Sequence, residues 1–125
     1  MFILDSSAII EILNGTNIGK NLANELKDGI VSTTVFSLYE ILLGAKPKET
    51  AKINDFFESM SILNFENSAA KESSNIERDL AKKGELINKV DIFIASICKL
   101  NDRTLITGDK DFKKVPNLKI KLIDI

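Results

Sequence analysis

Phe2-Ile3-Leu4-Asp5-Ser6-Ser7 is the stretch on which the fold of this chain turns. Three consecutive apolar residues mark a short buried strand, and an acid followed by two hydroxyl residues is helix-capping chemistry. A strand running straight into a capped helix opens a β–α unit, and the pattern recurs along the chain. Further strands are expected over residues 30–34, 62–65, 104–107 and 118–123. In the last of these Leu118, Ile120 and Leu122 alternate with Lys119 and Lys121, so one face is wet. Helices are expected over 7–13, 18–26, 35–43, 49–60, 68–83 and 91–100, with a short helical turn over 109–113. Asn14-Gly15, Asp28-Gly29, Gly44 and Gly84 supply the stops. Strands separated by helical stretches pair in parallel through right-handed crossovers. The expected architecture is a three-layer α/β/α sandwich with a central, mostly parallel sheet. No repeat, linker or low-complexity tract divides the chain, so residues 1–125 read as a single domain.

Composition limits the chemistry. The 125 residues are 44% hydrophobic and 28% charged, ordinary values for a folded chain that buries one core. No run approaches the roughly 18 apolar residues of a membrane span. The N-terminal run meets Asp5 with no basic flank, unlike a signal peptide. Cys98 lies alone in the run Ile92–Cys98 and reads as a small buried hydrophobe. A single cysteine fits a reducing, cytoplasmic setting. Histidine is absent, which removes imidazole acid–base chemistry and His-based zinc sites. Any catalysis must come from carboxylates, hydroxyls, lysines or a bound cation. A net charge of −1 is unlike that of a passive nucleic-acid binder.

Four acids stand out by position. In an open parallel sheet ligands bind beyond the carboxyl ends of the strands. Asp5 follows the first strand directly, and Asp109 follows the strand at 104–107 after Gly108. Asp91 opens an apolar helix whose dipole favours its ionised form. Glu40 sits in an apolar helical stretch, where a charge is costly unless it faces a polar cleft. Four carboxylates converging on one rim would repel one another, and a hard divalent cation with oxygen ligands would relieve them. Each acid also has a structural reading: Asp5 as a helix cap, Asp91 as a dipole residue, Glu40 as a lysine partner, Asp109 as a turn cap.

The joint order of these residues resembles the PIN-domain family, and within it the VapC-type toxins of toxin–antitoxin pairs. The resemblance is carried by Phe2–Ser7, Ser37-Leu38-Tyr39-Glu40-Ile41-Leu42-Leu43-Gly44, Val90-Asp91-Ile92-Phe93-Ile94-Ala95, Leu105-Ile106-Thr107-Gly108-Asp109-Lys110-Asp111-Phe112 and Val115–Ile120. It implies an endoribonuclease using one or two Mg²⁺ or Mn²⁺ ions, with attack by an ion-activated water leaving a 3′-hydroxyl and a 5′-phosphate. Asp5, Glu40, Asp91 and Asp109 would form the catalytic and metal-binding set. Ser6 and Thr107 would support the acids, and Asp111 matches an acidic family position. Gly108, where polar residues are frequent, would loosen the Asp109 loop. Lys46, Lys48, Lys110, Lys113 and Lys114 are candidates to steer RNA. The implied partners are an RNA substrate, a VapB-type antitoxin lying in a groove near the acids, and a second copy of the chain. The self-contact is expected around Ile53, Phe56, Phe57 and Met60, which serve equally as monomer core. The competing readings are a phosphoacceptor receiver domain, a non-catalytic RNA- or protein-binding module of the same fold, and a flap-type DNA nuclease.

Overall fold

Every strand and helix expected from the sequence forms, with shifts at the ends. The computed structural model describes residues 1–125 in chain order as β1 (Phe2–Leu4), α1 (Ser6–Asn14), α2 (Asn17–Leu26), β2 (Val31–Thr34), α3 (Val35–Gly44), α4 (Thr50–Glu58), β3 (Ser61–Leu63), α5 (Asn67–Lys83), α6 (Lys89–Leu100), β4 (Thr104–Thr107) and β5 (Ile120–Leu122). Short 3-10 turns cover Pro47–Glu49 and Lys110–Lys114. Three of the shifted boundaries have clear local reasons. Proline at the head of the 47–60 stretch sets up a 3-10 turn first, so α4 begins at Thr50. Asn117 adopts a φ of 63°, a left-handed turn that asparagine tolerates, and β5 starts only at Ile120. Asn88 caps α6 by accepting from the Val90 N–H at 2.9 Å, so that helix begins two residues before Asp91.

The sheet order is β3-β2-β1-β4-β5, and all four pairings are parallel. The chain winds outward from β1 to β3, then returns to the other side of β1. The order therefore reverses between β1 and β4. Alternating side chains feed two cores. Leu4 and Ile106 face α1 to α4, with Ala8, Ile9, Leu22, Ile41, Ile53 and Phe57. Ile3 and Leu105 face α5 and α6, with Ile76, Leu80, Ile92, Ile94 and Ile97. Cys98 is fully buried in this second core, and burial pushes its thiol up to about 12.

Of the two readings of the face around Ile53, Phe56, Phe57 and Met60, the core one is met: Ile53 and Phe57 are buried and Phe56 and Met60 half-buried within the monomer. Helix α3 shows the reverse, with Tyr39, Leu42 and Leu43 exposed. Glu40 between them is itself exposed, so its charge meets only partial desolvation from its apolar neighbours.

Helices α1 and α2 approach closely at Gly19. A Cβ there would lie 1.9 Å from the Glu11 carbonyl oxygen, so the position admits no side chain.

Candidate active site

The reversal between β1 and β4 opens a crevice at the carboxyl ends of those strands, the place where open α/β sheets bind ligands. Asp5 stands at its centre. It is only 6% exposed, and its carboxylate is held from several sides. Oδ1 accepts from the Ser7 N–H at 2.9 Å, the Ser7 hydroxyl at 2.5 Å and the Ala8 N–H at 3.4 Å. Oδ2 accepts from the Thr107 hydroxyl at 2.5 Å. Asp5 is thus the N-cap of α1 and a site residue at once, because the strand-to-helix corner aims its side chain along the strand end. Burial pushes its carboxyl above 3.8, while the hydrogen bonds from Ser7, Thr107 and Ala8 pull it back down.

The loop after β4 is tied to the same point. Thr107, which donates to Asp5, accepts from the Asp109 N–H at 3.0 Å. The Ser7 hydroxyl accepts from the Gly108 N–H at 2.9 Å. Asp109 caps the 3-10 turn by accepting from the Asp111 N–H at 2.9 Å. The expectation of a loosened loop is not met, since each of residues 108, 109 and 111 has its amide held. Gly108 does not take a left-handed φ, so conformational freedom is not what calls for glycine there.

Asp91, in the first turn of α6, faces this group. Its carboxyl is pushed up to about 7, first by burial, then by the charges of Asp109, Asp5 and Glu40, with a hydrogen bond to Asp109 adding to the rise. The helix dipole favours the ionised form of Asp91, but burial and the neighbouring like charges act the other way and set the net direction. Glu40, two turns into α3, is pushed above 4.5 by partial desolvation; the Ser6 hydroxyl lowers it and the Asp5 charge raises it. The Ser6–Glu40 contact is loose at 3.4 Å.

The four acids expected from the sequence therefore lie within one another's fields. None of them takes part in the five ion pairs of the molecule. Asp111 stands apart, its carboxylate paired with Lys114 at 3.2 Å. Lys46, Lys48, Lys110 and Lys113 are exposed and form no ion pair. A groove of about 280 Å³ runs off Glu40, lined by Ile10, Leu13, Ile41, Ile53 and Lys52.

Three features of the site escaped the sequence reading. Ser7, rather than Ser6, joins Asp5 to the Asp109 loop. Asn88 fixes the start of α6. Phe36, Phe65 and Phe93 cluster between α3 and α6, with centroids 5.3 Å apart for Phe36–Phe65, 5.3 Å for Phe36–Phe93 and 4.8 Å for Phe65–Phe93. Phe36 lies one turn before Glu40 and Phe93 two residues after Asp91, so the cluster couples the two helices that present those acids.

The donors suit a hard cation. All are carboxylate or hydroxyl oxygens, and the part of the Asp91 rise that comes from Asp109, Asp5 and Glu40 is a repulsion that positive charge would relieve. No three carboxylates are drawn together tightly enough to clasp one bare ion. A cation of the Mg²⁺ kind keeps several waters and needs only one or two carboxylates directly.

A parallel sheet of this order with acids at its reversal point defines an open α/β fold with an acidic ligand site at the carboxyl edge. The chain belongs to the PIN-domain family, whose sequence model matches residues 2–118. It is 34% identical to ribonuclease VapC3 of Methanocaldococcus jannaschii over 95 residues, covering 76% of this chain and 95% of that protein. It is 25% identical to ribonuclease VapC2 of Rickettsia felis over 126 residues, covering 94% of each. Among solved structures, VapBC2 from Rickettsia felis bound to a promoter DNA fragment superposes with a TM-score of 0.85 at 25% identity, covering 98% of both chains.

Proposed function

We propose that this chain is a metal-dependent endoribonuclease, the toxin of a toxin–antitoxin pair, with residues 1–125 forming its single PIN domain. The observation that carries the reading is the gathering of Asp5, Glu40, Asp91 and Asp109 at the reversal of the sheet, where burial first and then the charges of the other three push the Asp91 carboxyl up to about 7. An acidic cluster so poised, with no lysine or arginine to neutralise it, suits Mg²⁺ or Mn²⁺. The curated relatives named as ribonucleases support RNA as the substrate. A bound ion would supply charge neutralisation at the scissile phosphate and lower the pKa of a water.

The chain's own residues do the rest. Asp5, fixed on both oxygens, and Asp91 would hold the ion; Oδ2 of Asp5 accepts one hydrogen bond and retains a free lone pair. Asp109 completes the acidic pair with Asp91. Glu40, exposed and loosely held by Ser6, is free to orient a water at the rim. Thr107 and Ser7 keep Asp5 from rotating. The unpaired Lys46, Lys48, Lys110 and Lys113 would attract the phosphate backbone, so RNA binding should weaken as salt rises. A VapB-type antitoxin segment would lie in the groove beside Glu40 as a helix in a groove, a basic side chain meeting the acids. The VapBC complexes among the structural neighbours support such a partner. No helix is long and apolar enough to cross a membrane.

The test is cleavage of a structured RNA pool by wild type and Asp5→Asn, each with Mg²⁺, Mn²⁺ or EDTA. Cleavage by wild type alone, abolished by EDTA and yielding 5′-phosphate ends, supports the assignment. Persistent 2′,3′-cyclic phosphate ends in every metal condition would rule the hydrolytic chemistry out. A folded protein, free of antitoxin, that cuts no RNA points instead to a binding module of the same fold.

A further inference from the structure

Gly108 is crowded, although it sits in a loop. A Cβ built on it would lie 2.2 Å from Cδ1 and 2.5 Å from Cγ1 of Ile125, and 3.6 Å from the Ser7 hydroxyl. Its backbone does not need glycine, since its φ is not positive. What glycine provides is room for the Ile125 side chain to lie directly on the main chain between Thr107 and Asp109. The path that brings Ile125 there is fixed: β5 pairs with β4 through Thr107 opposite Leu122, and the Ile123 N–H donates to the Thr107 carbonyl at 2.8 Å. Two residues later the chain reaches Gly108. Ile125 is 56% exposed, so burial of its own surface is not what this contact mainly achieves.

We infer that Ile125 is a positioning residue for the acidic site, pressing Gly108 against Ser7 so that the Asp109 loop keeps its place. The loop is gripped from two sides. The Ser7 hydroxyl holds the Gly108 amide on the side of Asp5, and Ile125 covers the α-carbon. Movement of Gly108 away from Ser7 would break the 2.9 Å bond and release the hydroxyl that also serves Asp5. It would also strain the neighbouring bond from the Asp109 amide to the Thr107 hydroxyl, because Gly108 and Asp109 share a peptide unit. Ile125 sits on Gly108 and acts through it and Ser7. The role of the site as a nuclease centre is taken from the reading above, whereas the grip on the loop is a property of the chain alone.

The experiment exchanges a methyl group across the contact. Ile125→Ala, Gly108→Ala and the double variant are compared with wild type by amide hydrogen exchange without metal, by calorimetric titration with Mn²⁺ alone, and by RNA cleavage. Ile125→Ala should speed exchange at Gly108 and Asp109 by about tenfold while Leu105 and Ile106 stay protected, a local opening rather than unfolding. It should weaken Mn²⁺ binding by about tenfold, the usual scale for a support one contact removed from a ligand. Gly108→Ala alone should also impair both, because its methyl displaces the Ile125 side chain from its seat on the loop. The double variant, in which the new methyl fills the vacated space, should recover toward wild type. Exchange in Ile125→Ala equal to wild type would overturn the inference, as would a double variant no better than the worse single one. If wild type binds no Mn²⁺ and cuts no RNA, the nuclease reading fails, and the exchange rates still decide whether Ile125 holds the loop.

Discussion

Thr107 donates its hydroxyl to Oδ2 of Asp5 at 2.5 Å, joining two residues 102 positions apart. The Thr107 hydroxyl oxygen in turn accepts from the Asp109 N–H, so one buried hydroxyl sets both the rotation of the central carboxylate and the start of the loop carrying a second one. Thr107→Val keeps the shape and removes the hydroxyl, leaving a half-buried amide and a buried carboxylate each short of a partner. The expected loss is about 1–3 kcal/mol of stability and about 10–100-fold in RNA cleavage. Thr107→Ser should stay within a few-fold of wild type. Urea melts and cleavage rates for the two variants check this, and an active Thr107→Val would show that Asp5 needs no such support.

The coupling between α3 and α6 is the second point of leverage. Phe36 and Phe93 stand 5.3 Å apart and join the helices that present Glu40 and Asp91. Phe93→Ala removes a half-buried ring from a three-ring cluster and should cost about 2–4 kcal/mol. In the fraction that stays folded, cleavage should fall further than in Phe93→Leu, which fills most of the space. Activity per folded molecule, with the folded fraction taken from circular dichroism at the same temperature, is the measurement.

The acids were legible in the sequence because a parallel sheet turns position along the chain into position in space. A residue just past an apolar run lands at the carboxyl edge of the sheet, as Asp5 and Asp109 do. Glu40 and Asp91 were harder, since helix phase alone does not say which way they face; the family resemblance placed them. Ser7 was not legible as a bridge, because its second partner is the amide of Gly108, 101 residues away, and nothing local marks it. Asn88 was readable in principle as a cap before Val90 and Asp91, but the apolar run from Ile92 drew the boundary too late. The role of Ile53 and Phe57 depended on which face of α4 meets the sheet, a question of packing that periodicity leaves open.

Two glycines with opposite surroundings give a stability test. A Cβ on Gly19 would meet the backbone of Glu11 at 1.9 Å, and a main-chain oxygen cannot swing aside. Gly19→Ala should therefore force α1 and α2 apart and cost about 2 kcal/mol or more. Gly44 ends α3 with nothing within 4 Å of its would-be Cβ and no positive φ. Gly44→Ala should be neutral or stabilise by about 0.5–1 kcal/mol through the unfolded chain. Chemical denaturation of both variants with a common slope decides the comparison.

The pH dependence of the metal-free protein follows from Asp91. Its carboxyl ordinarily titrates near 3.8 and is pushed up to about 7 in the fold. Between those values the folded chain holds a proton that the unfolded chain has released. Stability from this group is therefore greatest below about pH 4, is lost as pH rises toward 7, and levels off above it. Asp5 and Glu40, both raised by burial, add to the trend at its acidic end. A divalent cation favours the ionised forms and should reverse the loss. Mg²⁺ should raise the melting temperature clearly at pH 8 and little at pH 5. Asp91→Asn removes the repelling charge, so it should melt higher than wild type at pH 8 without metal, respond less to Mg²⁺, and fail to cut RNA. Thermal melts across pH 5–8 with EDTA or Mg²⁺ measure all three effects. A wild-type melting temperature in EDTA that rises steadily from pH 5 to 8 would contradict a repelling cluster centred on Asp91.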